Sequence, residues 1–282
     1  MPSPGTALAG QCPDGFTPKM GMNVDFPSGG KMRAFHVSPP ADNAGPAPLF
    51  VALTGTVQEE LSFAMQAGLS MLPAQGWAVV SPVRSCSQEG RNCSTTGMDG
   101  RVWEPWFDGT APRSDEAGVD VEFVEAMVKC VAMMWPVAAD KIYAGGISAG
   151  GSFTNRNMTF NSKLFAGGIP ASGNWTYGVP PASAMQMDPS IVIIVWGGPN
   201  DTWPGSPPYA EETKAAADYY AAQPNVVTVA CSGTQGHAWP TAATPWLIET
   251  LLSHPKGTDK SKFMLKPPGG GLSCVVGAYT DH

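Results

Sequence analysis

The chain has 282 residues, 43% hydrophobic and only 14% charged, enough apolar material for a large core and too little charge for a disordered chain. Its formal charge of −7 comes from 16 basic and 23 acidic residues without long runs, so no basic stripe invites nucleic acid or an anionic membrane. The longest apolar run, residues 191–196, is strand-sized against the roughly 18 to 20 residues that span a bilayer, which predicts no membrane insertion.

The start, Met1-Pro-Ser-Pro-Gly-Thr6, carries no charged segment followed by an apolar one, as expected of a chain from which an export leader has been removed. Residues 31–37 read as a strand, and Pro-Leu-Phe-Val-Ala-Leu at 48–53 as a buried one that stops at Thr54-Gly55. Residues 59–72 place Leu61, Phe63, Met65, Leu69 and Leu72 largely on one helical face, and Gln75-Gly76 precedes a strand at 77–81. After a Gly-, Ser- and Asn-rich loop, Arg113-Ser-Asp-Glu116 opens a long helix in which Phe123, Met127, Cys130, Val131 and Met134 recur at steps of three and four, closed by Pro136.

A strand at 140–144, a helix at 149–160 and strands at 165–170 and 190–196 follow. An alanine-rich helix at 211–222, a strand at 226–231, a helix at 244–252 and a Pro- and Gly-rich tail covering some sheet edge complete the series. Strands alternating with helices predict an α/β fold whose sheet is mostly parallel, with functional groups gathered at the carboxyl ends of its strands. No internal repeat is visible, and a single domain over residues 1–282 is expected, with an N-terminal extension of about 30 residues and a tail from about residue 255.

Six cysteines, none in a C-x-x-C pair, fit disulfides better than zinc or a redox dithiol and imply an oxidising, secreted or periplasmic setting. Cys86 and Cys93 flank a short polar loop. Cys231 and Cys274 lie near the ends of late elements, which leaves Cys12 with Cys130; only the first pairing has local support.

Within Lys141-Ile-Tyr-Ala-Gly-Gly-Ile-Ser-Ala-Gly-Gly151, the pattern G-x-S-x-G falls on Gly146, Ser148 and Gly150. The pattern arises often by accident, but here it follows a strand and precedes a helix, the setting of a nucleophile elbow. A serine hydroxyl needs an imidazole to take its proton. Of the four histidines, His36 sits in a strand, His254 precedes a proline and His282 ends the chain. His237, in Thr234-Gln-Gly-His-Ala-Trp-Pro240, lies in a glycine-flanked loop after the last strand, at the expected rim. The run from Ile191 ends in Trp-Gly-Gly-Pro-Asn-Asp201 and puts Asp201 on the same rim to orient that imidazole, whereas Asp188 and Asp218 face elsewhere. The order Ser148, Asp201, His237 is that of the α/β-hydrolases.

An oxyanion hole needs two N–H donors. Ala149 supplies one; Thr56, in Leu53-Thr-Gly-Thr-Val57, supplies the other by position, with Val57 as the neighbouring alternative. No metal or organic cofactor is called for.

Beyond these motifs, Leu53-Thr-Gly-Thr-Val57, Ser81-Pro-Val-Arg-Ser-Cys86, Gly145-Gly-Ile-Ser-Ala-Gly-Gly151, Val195-Trp-Gly-Gly198, Val229-Ala-Cys-Ser232, Gly236-His-Ala-Trp-Pro240 and Ser253-His-Pro-Lys-Gly257 resemble the oxidized polyvinyl alcohol hydrolases. That family is similar in fold to the polyhydroxybutyrate depolymerases. The matches run from about Val51 to the carboxyl terminus. The resemblance implies hydrolysis of a carbon–carbon bond in a β-diketone of oxidized polyvinyl alcohol or a similar polymer, giving a carboxylic acid and a methyl ketone. It also implies Trp203 as a substrate contact, and Trp239, two residues past His237, offers a second indole. Trp103, Trp106 and Phe107 stand as a further groove wall or as anchors of their own loop.

The chain departs from the family pattern in a shorter loop after Asp201, which lacks an extra cysteine pair, and in a short segment between Gly173 and Asp188. A trimmed rim favours short esters or another polymer. The alternatives are therefore a secreted carboxylesterase or polyester depolymerase, which would use the same triad, and a non-catalytic binding protein on a hydrolase scaffold, which the intact triad opposes.

Overall fold

In a computed structural model the protein is described over residues 5–42, 45–56, 58–83, 85–86, 101–102, 118–175 and 187–279, with the side chains of residues 85–86 and 101–102 left aside. Val57, Cys93, Trp103, Trp106, Phe107, the helix opening at 113–116 and His282 fall outside these residues, and so does the Cys86–Cys93 pairing.

The N-terminal hairpin is β1 (Gly21–Ser28) and β2 (Lys31–Ser38). Then come β3 (Ala47–Leu53), α1 (Glu60–Gln66) and β4 (Ala78–Pro82). A two-residue pair, β5 (Ser85–Cys86) and β6 (Arg101–Val102), stands apart from the main sheet. Next are α2 (Val119–Val131), β7 (Val137–Ile147), α3 (Ala149–Phe160) and β8 (Gly167–Ala171). The chain continues with β9 (Ser190–Trp196), α4 (Tyr209–Ala222), β10 (Val226–Ser232), α5 (Thr244–Leu252) and β11 (Ser273–Val276).

Nine strands form one sheet in the order β1-β2-β4-β3-β7-β8-β9-β10-β11. From β4 to β10 all neighbours are parallel, while β1, β2 and β11 join antiparallel at the margins. This is the mixed, mostly parallel sheet of an α/β-hydrolase fold, with helices covering both faces. The central strands are buried along nearly their whole length; Ser-Ile-Val-Ile-Ile-Val-Trp in β9 is buried except at its last residue. Two apolar clusters result, one against α2, α3 and α4 and the other against α1 and α5.

Three sequence expectations need correction. The helix predicted over 59–72 stops at Gln66, because Gly68 takes a left-handed φ of 71° and the chain goes on as short 3₁₀ turns. Leu61 and Met65, placed on its core face, are 42% and 69% exposed; only part of that periodicity meets the sheet. The expected extension over residues 1–30 contains β1, which the polar sequence Gly-Met-Asn-Val-Asp-Phe-Pro-Ser concealed.

The tail does cover a sheet edge, and it does so as a strand. β11 pairs with β10 with Cys231 opposite Cys274, and these two form a disulfide. A second disulfide, Cys12–Cys130, ties the N-terminal segment to the last turn of α2. Beside it Leu8 N–H donates to the Val137 carbonyl at 2.7 Å and Gln11 N–H to that of Lys129 at 3.0 Å. Among the described residues no helix is long and apolar enough to cross a membrane.

Candidate active site

Ser148 stands between β7 and α3 with φ 59° and ψ −121°, a backbone that side-chain-bearing residues rarely adopt. The strain is held by neighbours. Ser148 N–H donates to the Ala171 carbonyl at 3.0 Å, and its own carbonyl accepts from Ser152 N–H at 2.9 Å. A Cβ on Gly146 would lie 2.3 Å, and one on Gly150 2.0 Å, from the Leu53 carbonyl oxygen. Only glycine lets strand and helix cross this tightly, so the motif's two glycines are the condition for the turn.

Asp201 follows β9 and is fully packed at its side chain. Its Oδ1 accepts from Nδ1 of His237 at 2.8 Å. Its Oδ2 accepts from Gly197 N–H at 2.8 Å and from Ser172 Oγ at 2.7 Å. Three donors on one carboxylate fix its plane, and with it the imidazole's tautomer and tilt. The loops carrying Asp201 and His237 are joined backbone to backbone, Gly236 N–H donating to the Gly197 carbonyl at 2.9 Å. A Cβ on Gly197 would approach the Gly236 oxygen to 1.9 Å, which accounts for the glycine after Trp196.

With Nδ1 committed to Asp201, Nε2 is the nitrogen left for chemistry, and it is buried without a hydrogen-bond partner. His237 and Ser148 line one cavity of about 100 Å³ together with Gly55, Thr56, Gln58 and Trp203. A larger cavity of about 280 Å³ adjoins it and shares Ser148, Thr56 and Trp203. Ala149, Ser152, Asn174 and Tyr209 add to its wall. Ala149 opens α3, so its N–H has no partner within the helix, and the residue lines the larger cavity beside Ser148. Gly55 N–H donates to Gln58 Oε1 at 3.0 Å, which shapes the loop that presents Thr56.

Trp203 is 44% exposed and its ring lies 5.5 Å from that of His237, at the entrance to both cavities. Trp239 is placed differently from the expectation. It is 6% exposed, packs edge-on against Phe63 at 5.6 Å and donates through Nε1 to Thr244 Oγ1 at 2.9 Å. It packs beneath the loop that carries His237 and lines neither cavity, since the chain bends at His237 and Ala238 and turns its side chain into the protein.

Two neighbours escaped the sequence reading. Ser172 sits one residue past β8 with φ 44°, fully buried, and holds Asp201 as described. The rule that selected Asp201, a polar residue just beyond a parallel strand, applies to it equally. Tyr209, the first residue of α4, stacks on His237 with centroids 4.5 Å apart and planes at 26°. Its hydroxyl donates to Ser206 Oγ at 3.2 Å and is hydrogen-bonded to Ser148, yet burial pushes its pKa above the ordinary tyrosine value, reinforced by Asp201 and Glu212, so it is a neutral O–H group beside Ser148. No local pattern marked Tyr209.

The chain is 41% identical over 323 aligned positions to the oxidized polyvinyl alcohol hydrolase of Sphingopyxis sp. (strain 113P3), covering 96% of this chain and 89% of the relative. It is 36% identical to the enzyme of the same description from Pseudomonas sp, covering 96% and 86%. The native crystal structure of sOPH superposes with a TM-score of 0.84 at 40% identity, over 97% of this chain and 99% of the other. No family model matches the chain.

Proposed function

The chain belongs to the oxidized polyvinyl alcohol hydrolase family, and from that premise we infer a serine hydrolase that cleaves the carbon–carbon bond of β-diketones in oxidized polyvinyl alcohol or a similar polymer. The observation that carries the chemistry is the 2.8 Å bond from His237 to Asp201, with Nε2 left unpartnered in a cavity that Ser148 also lines.

Ser148 Oγ attacks one ketone carbon as His237 Nε2 takes its proton, and Asp201 stabilises the imidazolium that forms. The new oxyanion is met by the N–H groups of Ala149 and Thr56, donors each worth about 3 kcal/mol in such sites. The tetrahedral carbon then expels its neighbour as a carbanion delocalised into the second ketone. This enolate is a far better leaving group than an alkyl anion, and His237 returns the proton to its carbon to give the methyl ketone. Tyr209 O–H, neutral and adjacent to Ser148, serves the second carbonyl oxygen while charge collects there. Water, deprotonated by His237, releases the acid from Ser148. One diketone and one water become one acid and one methyl ketone, using only side chains and water.

Trp203 supplies the apolar surface against which the polymer backbone lies. The two described disulfides support a secreted or periplasmic location, and we assign the whole chain, residues 1–282, to a single hydrolase domain.

The test compares turnover of a small linear β-diketone with that of esters sharing its acyl group. Diketone cleavage at rates comparable to or above the esters, abolished by Ser148→Ala with the fold intact, is expected. Ester turnover far exceeding diketone turnover would instead assign a carboxylesterase, and activity of Ser148→Ala within about tenfold of the parent would remove the triad.

A further inference from the structure

Next to the nucleophile, the wall of the larger cavity carries a polar group with no role in the steps above. Asn174 lines that cavity, and its Oδ1 is buried without a hydrogen-bond partner. Its main chain is fixed: Asn174 N–H donates to Ser152 Oγ at 2.7 Å, and Ser152 Oγ donates to the Ser148 carbonyl at 3.1 Å. Two hydrogen bonds therefore tie the backbone that carries the amide to that of Ser148, and both residues line the one cavity. A buried amide oxygen left orphaned is costly in the free protein, and native structures keep such groups chiefly where something else satisfies them.

The two cavities divide the substrate. His237, which must protonate the departing group, lines the smaller one, and Tyr209, stacked on His237 with its hydroxyl at Ser148, stands at the junction of the two; beyond it the larger one, with Ala149, Ser152 and Asn174, takes the acyl portion. An alkyl acyl chain there leaves the Asn174 amide unsatisfied. A hydroxyl corrects this better than a carbonyl does, because it can donate to Oδ1 as well as accept from Nδ2, and a turn about Cβ–Cγ presents either end of the amide to the cavity.

We propose that Asn174 is a specificity-determining residue that selects acyl groups bearing a β-hydroxyl, the group that secondary alcohols flanking a diketone in a partly oxidized polyvinyl alcohol would place there. The inference rests on the acyl-transfer reading above but not on which bond is cleaved. It follows that complete oxidation of the polymer would give a poorer substrate than partial oxidation, since it removes the hydroxyls the pocket reads.

The experiment uses the full chain and four substrates: a butanoyl and a β-hydroxybutanoyl group, each carried once as the β-diketone with acetone as product and once as the p-nitrophenyl ester. The hydroxylated member of each pair should show kcat/KM higher by about tenfold or more, as for other sites built to pair a substrate hydroxyl. Asn174→Leu, close to asparagine in shape, should bring both ratios to about one. A parent ratio near one in both pairs, or a ratio that survives Asn174→Leu, overturns the proposal. Should Asn174→Leu not fold, Asn174→Ala replaces it and is read in the same way. If the ester pair shows the preference while neither diketone turns over, the carbon–carbon reading fails and the role of Asn174 stands. Diketone cleavage without any preference for the hydroxylated acyl group does the opposite, upholding the carbon–carbon reading and overturning the role of Asn174.

Discussion

Replacing Ser172 by alanine removes one of the three donors on Asp201 and nothing that touches substrate. The lost bond is short, at 2.7 Å, and its acceptor is a fully packed carboxylate. Hydrogen bonds to charged groups are worth about 1.5–3 kcal/mol. Because Gly197 N–H still occupies the same oxygen, Oδ2 is not orphaned, and the lower figure applies. That is about a tenfold fall in kcat at roughly 1.4 kcal/mol per factor of ten, with KM little changed. Alanine keeps the Cβ, so the cost of the φ of 44° at this position is the same in both proteins.

The split between kcat and KM is the sharper readout for such a positioning residue, because a donor that acts only through Asp201 should leave substrate binding untouched. Steady-state kcat and KM of Ser172→Ala and the parent, with a urea melt to check folding, supply the comparison. A kcat within about twofold of the parent, or a loss carried by KM instead, would refute the idea that Ser172 acts through Asp201 and leave it a packing residue.

Tyr209→Phe keeps the ring stacked on His237 and deletes the donor beside Ser148. It should slow diketone cleavage by at least about tenfold more than it slows ester hydrolysis, since only the former builds charge on a second carbonyl oxygen; equal losses on both substrates would contradict that role. With burial holding the Tyr209 pKa above its usual value of about 10, no alkaline loss of rate below about pH 10 should trace to this residue, which comparison of parent and Tyr209→Phe profiles tests. His254, buried with neither ring nitrogen paired, has its pKa lowered by burial, opposed by Asp259. The unfolded chain binds that proton at about pH 6.5 and the folded chain resists it. Stability should therefore fall as pH drops below about 6.5, by at most about 1.4 kcal/mol per pH unit from this group, until the lower folded pKa is passed. Burial lowers the pKa of His36 as well, against Glu60, and adds in the same direction. Urea midpoints measured at pH 7.5 and 5.5 should lie closer together in His254→Gln than in the parent; an unchanged gap would count against this origin of acid sensitivity.

The core strands were legible because parallel strands buried on both faces read as short apolar, β-branched runs; β9 lies where the run Ser-Ile-Val-Ile-Ile-Val-Trp placed it. The elbow was legible for a related reason, since close backbone crossings admit only glycine and so leave a fixed spacing around Ser148. The two described disulfides, Cys12–Cys130 and Cys231–Cys274, join cysteines that the sequence paired only by position and elimination, without local support, and β11 was not legible: its exposed Val275 and Val276 follow no amphipathic alternation, and its pairing exists only because β10 offers a free edge.

The helix α3 shows where local sequence ceases to inform. Thr154, Asn155, Arg156, Asn157 and Thr159 are polar, yet all are buried, with Thr154, Asn157 and Thr159 bonding back to carbonyls of their own helix. Trp239 and Trp203 stand at equal spacing from His237 and Asp201, yet one supports the core and the other faces the cavity. Ser172 and Asn174, beyond the end of β8, reach Asp201 and the larger cavity, and Tyr209 reaches His237 from the start of α4. By itself the sequence determined the strained turn at Ser148, the order of Ser148, Asp201 and His237, and the strands that carry them, because those depend on residue type at short spacing. Which polar side chains converge on them depends on which strand ends lie side by side, and that was decided only when the sheet assembled β3, β7, β8, β9 and β10 in one row.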